Sequence, residues 1–246
     1  MNNPTQPARG VFITGTDTGV GKTIVTAAVV TALTAKGINT GVMKPIVTGV
    51  GECTAGLPDP DWLTTITGLC DPPDLIAPYR FRTAAAPLIA AARDGQAIEP
   101  ARIIGAFQAL SARHDCVVVE GIGGVIVPIT PDFFIADLAR QMGLPVLIVA
   151  RAGLGSINHT LLTLECLRSR GAPILGLIFN HTARPPSVPD ESDTIQTILR
   201  LSGLRSFGEL PYCAGLPATW TEHRDTLITR LDVPGLLEKM GLRGFA

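Results

Sequence analysis

Apolar residues along this chain come in short unbroken blocks rather than in alternation with polar ones. Blocks rich in β-branched residues occupy 11–14, 40–44, 116–120, 146–150 and 174–180, with a less apolar one at 206–210. A block of that length, closed by Gly or Pro, is a strand buried on both faces, and such strands belong to parallel sheets covered by helices. The segments 22–36, 100–113, 135–142, 156–170 and 192–201 read as helices. Their alternation predicts a doubly wound, mostly parallel α/β sheet flanked by helices. Residues 45–98 break the rhythm with Gly, Pro and Asp, and two short helices at most are expected there. The stretch "RPPSVPD" at 184–190 reads as a Pro-rich surface connection. Neither an internal repeat nor a linker divides the chain, so one domain over 1–246 is expected, with 1–9 flexible.

Composition narrows the function classes. The 246 residues suffice for one large domain with a well-buried core. A formal net charge of −1 leaves no basic footprint for nucleic acid, and an aromatic content of 5% weakens base stacking as a mode of recognition. The five cysteines, at 53, 70, 116, 166 and 213, form no C-x-x-C pair, which fits reduced thiols rather than a disulfide frame or a zinc site. "MNNPTQPARG" lacks the apolar core of a signal peptide, and no apolar run approaches a membrane span. A cytoplasmic protein with neither nucleic acid nor membrane as partner is expected.

The candidate chemistry lies first in "GVFITGTDTGVGKT", Gly10 to Thr23. Gly21-Lys22-Thr23 ends a P-loop pattern, but Thr16 stands where the first glycine belongs and the glycine is Gly15, one residue early. With a strand before it and an apolar helix after it, the loop gathers backbone N–H groups and the positive end of a helix dipole on an anion. Lys22 would reach the β- and γ-phosphates, and the Thr23 hydroxyl would ligate Mg²⁺.

A second set of groups is expected at the same rim, because open α/β sheets bind ligands beyond the carboxyl ends of their strands. "CVVVEGIGG" offers Glu120, able to hold Mg²⁺ or its water, or else to cap the following turn. "GVMKPIVTG" offers Lys44, kept extended by Pro45, with Thr48 beyond it. Partitioning-type ATPases with a deviant P-loop carry a second lysine where this chain has Asp17, which counts against a nucleotide switch of that kind.

In order and at these intervals, "GTDTGVGKT", "KPIVTG", "VEGIGG", "LGSINHT" and "GLIFN" resemble dethiobiotin synthetase of the biotin pathway, and the early glycine belongs to that family's loop. The resemblance runs from about Val11 to Pro211 and departs from the family at Ala86-Pro87-Leu88, where Ser-Pro-His is usual. It implies a P-loop ligase that takes 7,8-diaminononanoate, CO₂ or bicarbonate and MgATP, and closes a ureido ring through a carbamic-phosphoric anhydride. Lys22, Lys44 and Thr18 would then be catalytic. Thr16, Asp17, Thr18, Gly19, Val20, Gly21, Lys22, Thr23, Glu120, Asn180 and Pro211 would bind nucleotide, Asn180 by reading adenine. Thr18, Lys44, Thr48, Gly155, Ser156 and Asn158 would bind the diamine, the last three from the partner subunit of a homodimer. Thr23, Asp61 and Glu120 would hold the metal; "LPDPDW" also offers Asp59, but the spacing from Lys44 favours Asp61. His159 reads as a packing residue rather than a base. The alternatives are a P-loop switch ATPase and an amidoligase relative, for whose usual glutaminase domain the chain has no room.

Overall fold

The computed structural model describes residues 9–50, 59–183 and 190–242, so Cys53, the "RPPSVP" stretch and the first eight residues lie outside the described residues. In chain order the elements are β1 (Gly10–Gly15), α1 (Lys22–Ala35), β2 (Thr40–Met43), β3 (Ile46–Thr48), α2 (Asp59–Thr67), α3 (Pro73–Ile76), β4 (Tyr79–Phe81), α4 (Pro87–Asp94) and α5 (Pro100–Ser111). They continue as β5 (Cys116–Gly124), β6 (Pro128–Thr130), β7 (Phe133–Phe134), α6 (Ile135–Met142), β8 (Val146–Arg151), α7 (Ser156–Ser169) and β9 (Ile174–Asn180). The chain closes with α8 (Asp190–Ser202), β10 (Ser206–Leu210), α9 (Trp220–Ile228) and α10 (Val233–Lys239).

The six apolar blocks form one sheet in the order β10-β9-β8-β1-β5-β2, with every neighbouring pair parallel. Successive residues of each strand feed opposite faces, as a period of two requires. Phe12, Val117, Val119, Val146 and Ile148 enter one core with α5, α6 and α8. Val11, Ile13, Val118, Leu147 and Val149 enter the other with α1, α9 and α10. Both faces are therefore covered, which explains why the four interior strands show no polar alternation.

Residues 45–98 hold more order than their composition suggests. Three short helices and a small parallel sheet, β3 with β4, occupy the described part. Two further features were not expected, the antiparallel β6–β7 pair and the helices α9 and α10 behind β10. Glu120 also differs from its expected setting, because β5 runs on to Gly124 and does not turn after it. Glu120 sits mid-strand opposite Ile13, and the register with β1 shifts immediately beyond. No described helix is long and apolar enough to cross a membrane.

Candidate phosphate and metal site

The central strand β1 delivers the loop from Gly15 to Thr23 at the carboxyl edge of the sheet. Gly15 is required where it stands. A Cβ there would lie 2.7 Å from Val20 Cγ2, 2.8 Å from the Asp17 carbonyl oxygen and 3.0 Å from Lys22 Nζ. The one-residue offset thus admits the lysine folding back over the loop, where Lys22 Nζ donates to the Asp17 carbonyl at 3.0 Å. At the far end Gly21 has φ +91°, caps α1, and lies against the amide of Asn180.

Beyond this loop lies a cavity of about 350 Å³. Its walls are Thr18, Gly19, Gly21, Lys22 and Thr23 from the loop, Lys44, Val47 and Thr48 from the β2–β3 corner, Asp59 from α2, and Glu120 to Gly123 from β5. Within it Glu120 Oε1 accepts from Thr23 Oγ1 at 2.8 Å and from Lys44 Nζ at 2.8 Å, and Lys44 also donates to Asp59 Oδ2. Glu120 is 1% exposed, Lys44 6% and Lys22 8%. Burial of charge at this depth requires pairing, and Lys44 has two partners. Desolvation alone would drive its pKa down, but Glu120 and Asp59 together outweigh burial and hold it above the ordinary lysine value. Lys22 goes the other way: burial lowers it, and the neighbouring Lys44 adds to that despite Glu120.

The donors suit a hard divalent cation. Thr23, Asp59 and Glu120 present oxygen atoms to the cavity, and Glu120 Oε2 is buried with no hydrogen-bond partner among the described residues. No cluster of three His, Cys, Asp or Glu side chains capable of holding a metal exists among the described residues. The set therefore fits an ion shared with phosphate oxygens, as Mg²⁺ commonly is.

Of the two carboxylates that open α2, the structure sets Asp59 rather than Asp61 on the cavity wall. Two residues along a helix turn the side chain by about 200°, so Asp59 and Asp61 face opposite ways. Asp59 lines the cavity, whereas Asp61 is taken by Arg80 in a bidentate pair at 2.7 and 2.9 Å.

Thr18, Lys22, Thr23, Lys44, Thr48, Gly19, Gly21 and Glu120 come together as wall residues, but other expected residues do not. Thr16 N–H donates to the Val149 carbonyl and extends the sheet. The Asp17 carboxylate accepts from Thr18 N–H at 2.7 Å and leans toward Arg151, 3.7 Å away, rather than into the cavity. Val20 is fully buried, and its carbonyl accepts from Asn180 Nδ2 at 2.9 Å. Asn180 ends β9 paired with Leu210, the last residue of β10, and Pro211 follows Leu210. Gly155, Ser156 and Asn158 stand at the start of α7, apart from the cavity, with Ser156 buried and the other two exposed. Leu88, in the segment that departs from the family, borders a separate groove beside α4. Sequence reasoning missed Val47 and the wall from Gly121 to Gly123, though the latter's glycine run was a visible signal; Arg80 gave none.

An AAA domain family model matches residues 9–219. The chain is 50% identical over 184 residues to the ATP-dependent dethiobiotin synthetase BioD of Anaeromyxobacter dehalogenans strain 2CP-C, spanning 74% of this chain and 81% of that protein. It is 37% identical over 237 residues to the protein of the same description from Thermodesulfovibrio yellowstonii, spanning 93% and 98%. Among solved structures it resembles the MinC:MinD cell division complex of Aquifex aeolicus, with a TM-score of 0.60, 17% identity and coverage of 95% and 96%. A ParA family ATPase from Chlorobium tepidum TLS follows at a TM-score of 0.51, 16% identity and 97% coverage of each chain. At these identities the solved structures share the fold alone.

Proposed function

The chain belongs to the ATP-dependent dethiobiotin synthetase family, and from that premise we propose how its cavity closes a ureido ring. The protein is an ATP-using ligase of biotin synthesis. CO₂ adds to one amine of 7,8-diaminononanoate, which loses a proton and becomes a carbamate. A carbamate oxygen attacks the γ-phosphorus, the bond to the β-bridging oxygen breaks, and ADP leaves. The second amine attacks the carbonyl carbon of the mixed anhydride, phosphate departs, a proton is lost and the ring closes.

One observation carries this reading: two buried lysines face two carboxylates in a single cavity at the mouth of the P-loop. Carbamate and γ-phosphate are both anions, so their approach needs fixed positive charge that does not reorganise. Lys22 and the N–H groups at the start of α1 take the phosphate side. Lys44, held by Glu120 and Asp59, stands between phosphate and carbamate. Thr18 and Thr48 orient the diamine, and positioning of this kind is the protein's main contribution to phosphoryl transfer. Because two ammoniums are balanced by two carboxylates, the site lacks net positive charge for two anions. Thr23 and Glu120, with Asp61 or its neighbour Asp59 from the start of α2, would hold Mg²⁺, which supplies that charge when bound.

Asn180 keeps an acceptor oxygen and a second amide N–H after donating to Val20, which is the pair that adenine's amino group and N7 require. The start of α7, with Gly155, Ser156 and Asn158, would bind the distal carboxylate of a substrate held by a second copy. The fully exposed Leu154 beside it, together with Leu162 at 61% exposure, supports a homodimer that covers this face. The described residues would make up a single P-loop α/β domain.

The test mixes protein, MgATP, bicarbonate and diamine, and follows ADP and a cyclic urea by chromatography. Both products are expected in equal amounts, and Lys22→Ala and Lys44→Ala should each nearly abolish them. Absence of both products overturns the reaction, and wild-type turnover by Lys44→Ala overturns the placement of the carbamate.

A further inference from the structure

The strand that delivers Asn180 is fastened twice at its end, once by the main chain and once by a side chain. Along the main chain the parallel ladder pairs Glu209 with Phe179 and Leu210 with Asn180. One step further, His181 N–H donates to the Leu210 carbonyl at 3.0 Å. Pro211 comes next on the β10 side and has no N–H, so β10 donates no ladder bond from that residue.

There the His181 side chain takes over. Its ring lies between two carboxylates, with Nε2 2.8 Å from Glu209 Oε1 of β10 and Nδ1 2.9 Å from Glu191 Oε2 of α8. Carboxylates only accept, so the ring serves both by donating from both nitrogens. A planar ring held at two points cannot turn about its own bonds without losing a partner. Three elements, β9, β10 and α8, are thereby joined at the residue next in sequence to Asn180.

We propose that His181 is a positioning residue: through Glu209 and Glu191 it fixes the end of β9 against β10 and α8, and so sets where Asn180 presents its amide to the base. The proposal rests on the reading of Asn180 as the group that recognises adenine, and it requires no contact between the ring and the nucleotide. The His181 side chain is 11% exposed but Glu209 is 55% exposed, so loss of the bridge shifts global stability little. Its effect belongs in base discrimination. Adenine offers an amino hydrogen to the free Asn180 oxygen, whereas guanine carries a carbonyl at that position and gains nothing from the oxygen's placement.

The experiment measures kcat and KM for ATP and for GTP in ring closure at saturating diamine, with thermal melting of each protein alongside. His181→Ala is expected to raise KM for ATP roughly threefold to tenfold, the worth of one neutral hydrogen bond. Turnover at saturating ATP and the KM for GTP should stay near wild type. His181→Gln, able to donate to one of the two carboxylates, should fall between. Glu209→Ala should act in the same direction, and His181→Ala should cost less in that background than alone. An unchanged KM for ATP in His181→Ala, an equal rise for ATP and GTP, or the same cost in both backgrounds overturns the proposal. Asn180→Ala separates it from the reading beneath: if that variant leaves the preference for ATP over GTP unchanged, Asn180 does not read the base and both fall. If Asn180→Ala lowers the preference and His181→Ala does not, only the role of His181 fails.

Discussion

Replacing Gly21 by alanine should damage the phosphate loop by two separable effects. The first is backbone strain: φ is +91°, a conformation that costs an L-residue roughly 1–2 kcal/mol. The second is steric, because the new Cβ would overlap Asn180 Nδ2 and push that amide off the Val20 carbonyl. Asn180 is only 6% exposed, so the displaced donor loses its bond without gaining water, at about 1–3 kcal/mol. Gly21→Ala should therefore destabilise the protein by about 2–5 kcal/mol. In an Asn180→Ala background the amide is already gone, and only the strain of about 1–2 kcal/mol should remain. Urea unfolding of the four proteins by circular dichroism measures the coupling directly. An equal cost of Gly21→Ala in both backgrounds would refute the contact as the link between the end of β9 and the phosphate loop.

Two further outcomes follow from the charges and thiols. Lys44 has a raised folded-state pKa, so its ion pairs stabilise fully below the ordinary 10.5 and are lost as pH rises through the folded value. Glu120→Gln leaves burial opposed by Asp59 alone, so the alkaline loss of stability should move to lower pH. Urea midpoints across the alkaline range check this, and an unmoved limb contradicts it. Lys22 is shifted down by burial, and a polyanion bound beside it should raise its proton affinity again. MgATP binding at a pH about one unit below the ordinary lysine value should then take up protons, read as a buffer-dependent calorimetric heat. Cys116, buried at the start of β5, has its thiol pushed up to about 12, whereas Cys70 is exposed. Mass spectrometry after brief alkylation should find Cys70 modified and Cys116 intact, with the reverse order counting against the burial.

By itself the sequence determined the main sheet and the phosphate loop. Its four interior strands are mainly apolar blocks, because helices cover both faces, whereas the edge strand β10 is buried only at Phe207 and Leu210. Gly15, Gly21, Lys22 and Thr23 were legible for a related reason: a strand, a tight turn and a helix start are consecutive in the chain. The three-residue strands β3 and β4 and the four-residue α3 are too short for a period to register.

The site depended on tertiary structure because its contacts cross long separations. Thr23 meets Glu120 over 97 residues, Lys44 meets Glu120 over 76, and Asn180 meets Val20 over 160. A local pattern reports how a segment is buried, not which segment lies beside it. Strand order supplies that, by setting β5 and β8 on either side of β1. Asp59 and Asp61 make the same point within three residues. They are chemically identical along the chain, and only the rotation of α2, with Arg80 on its outer side, turns one into the cavity and the other away.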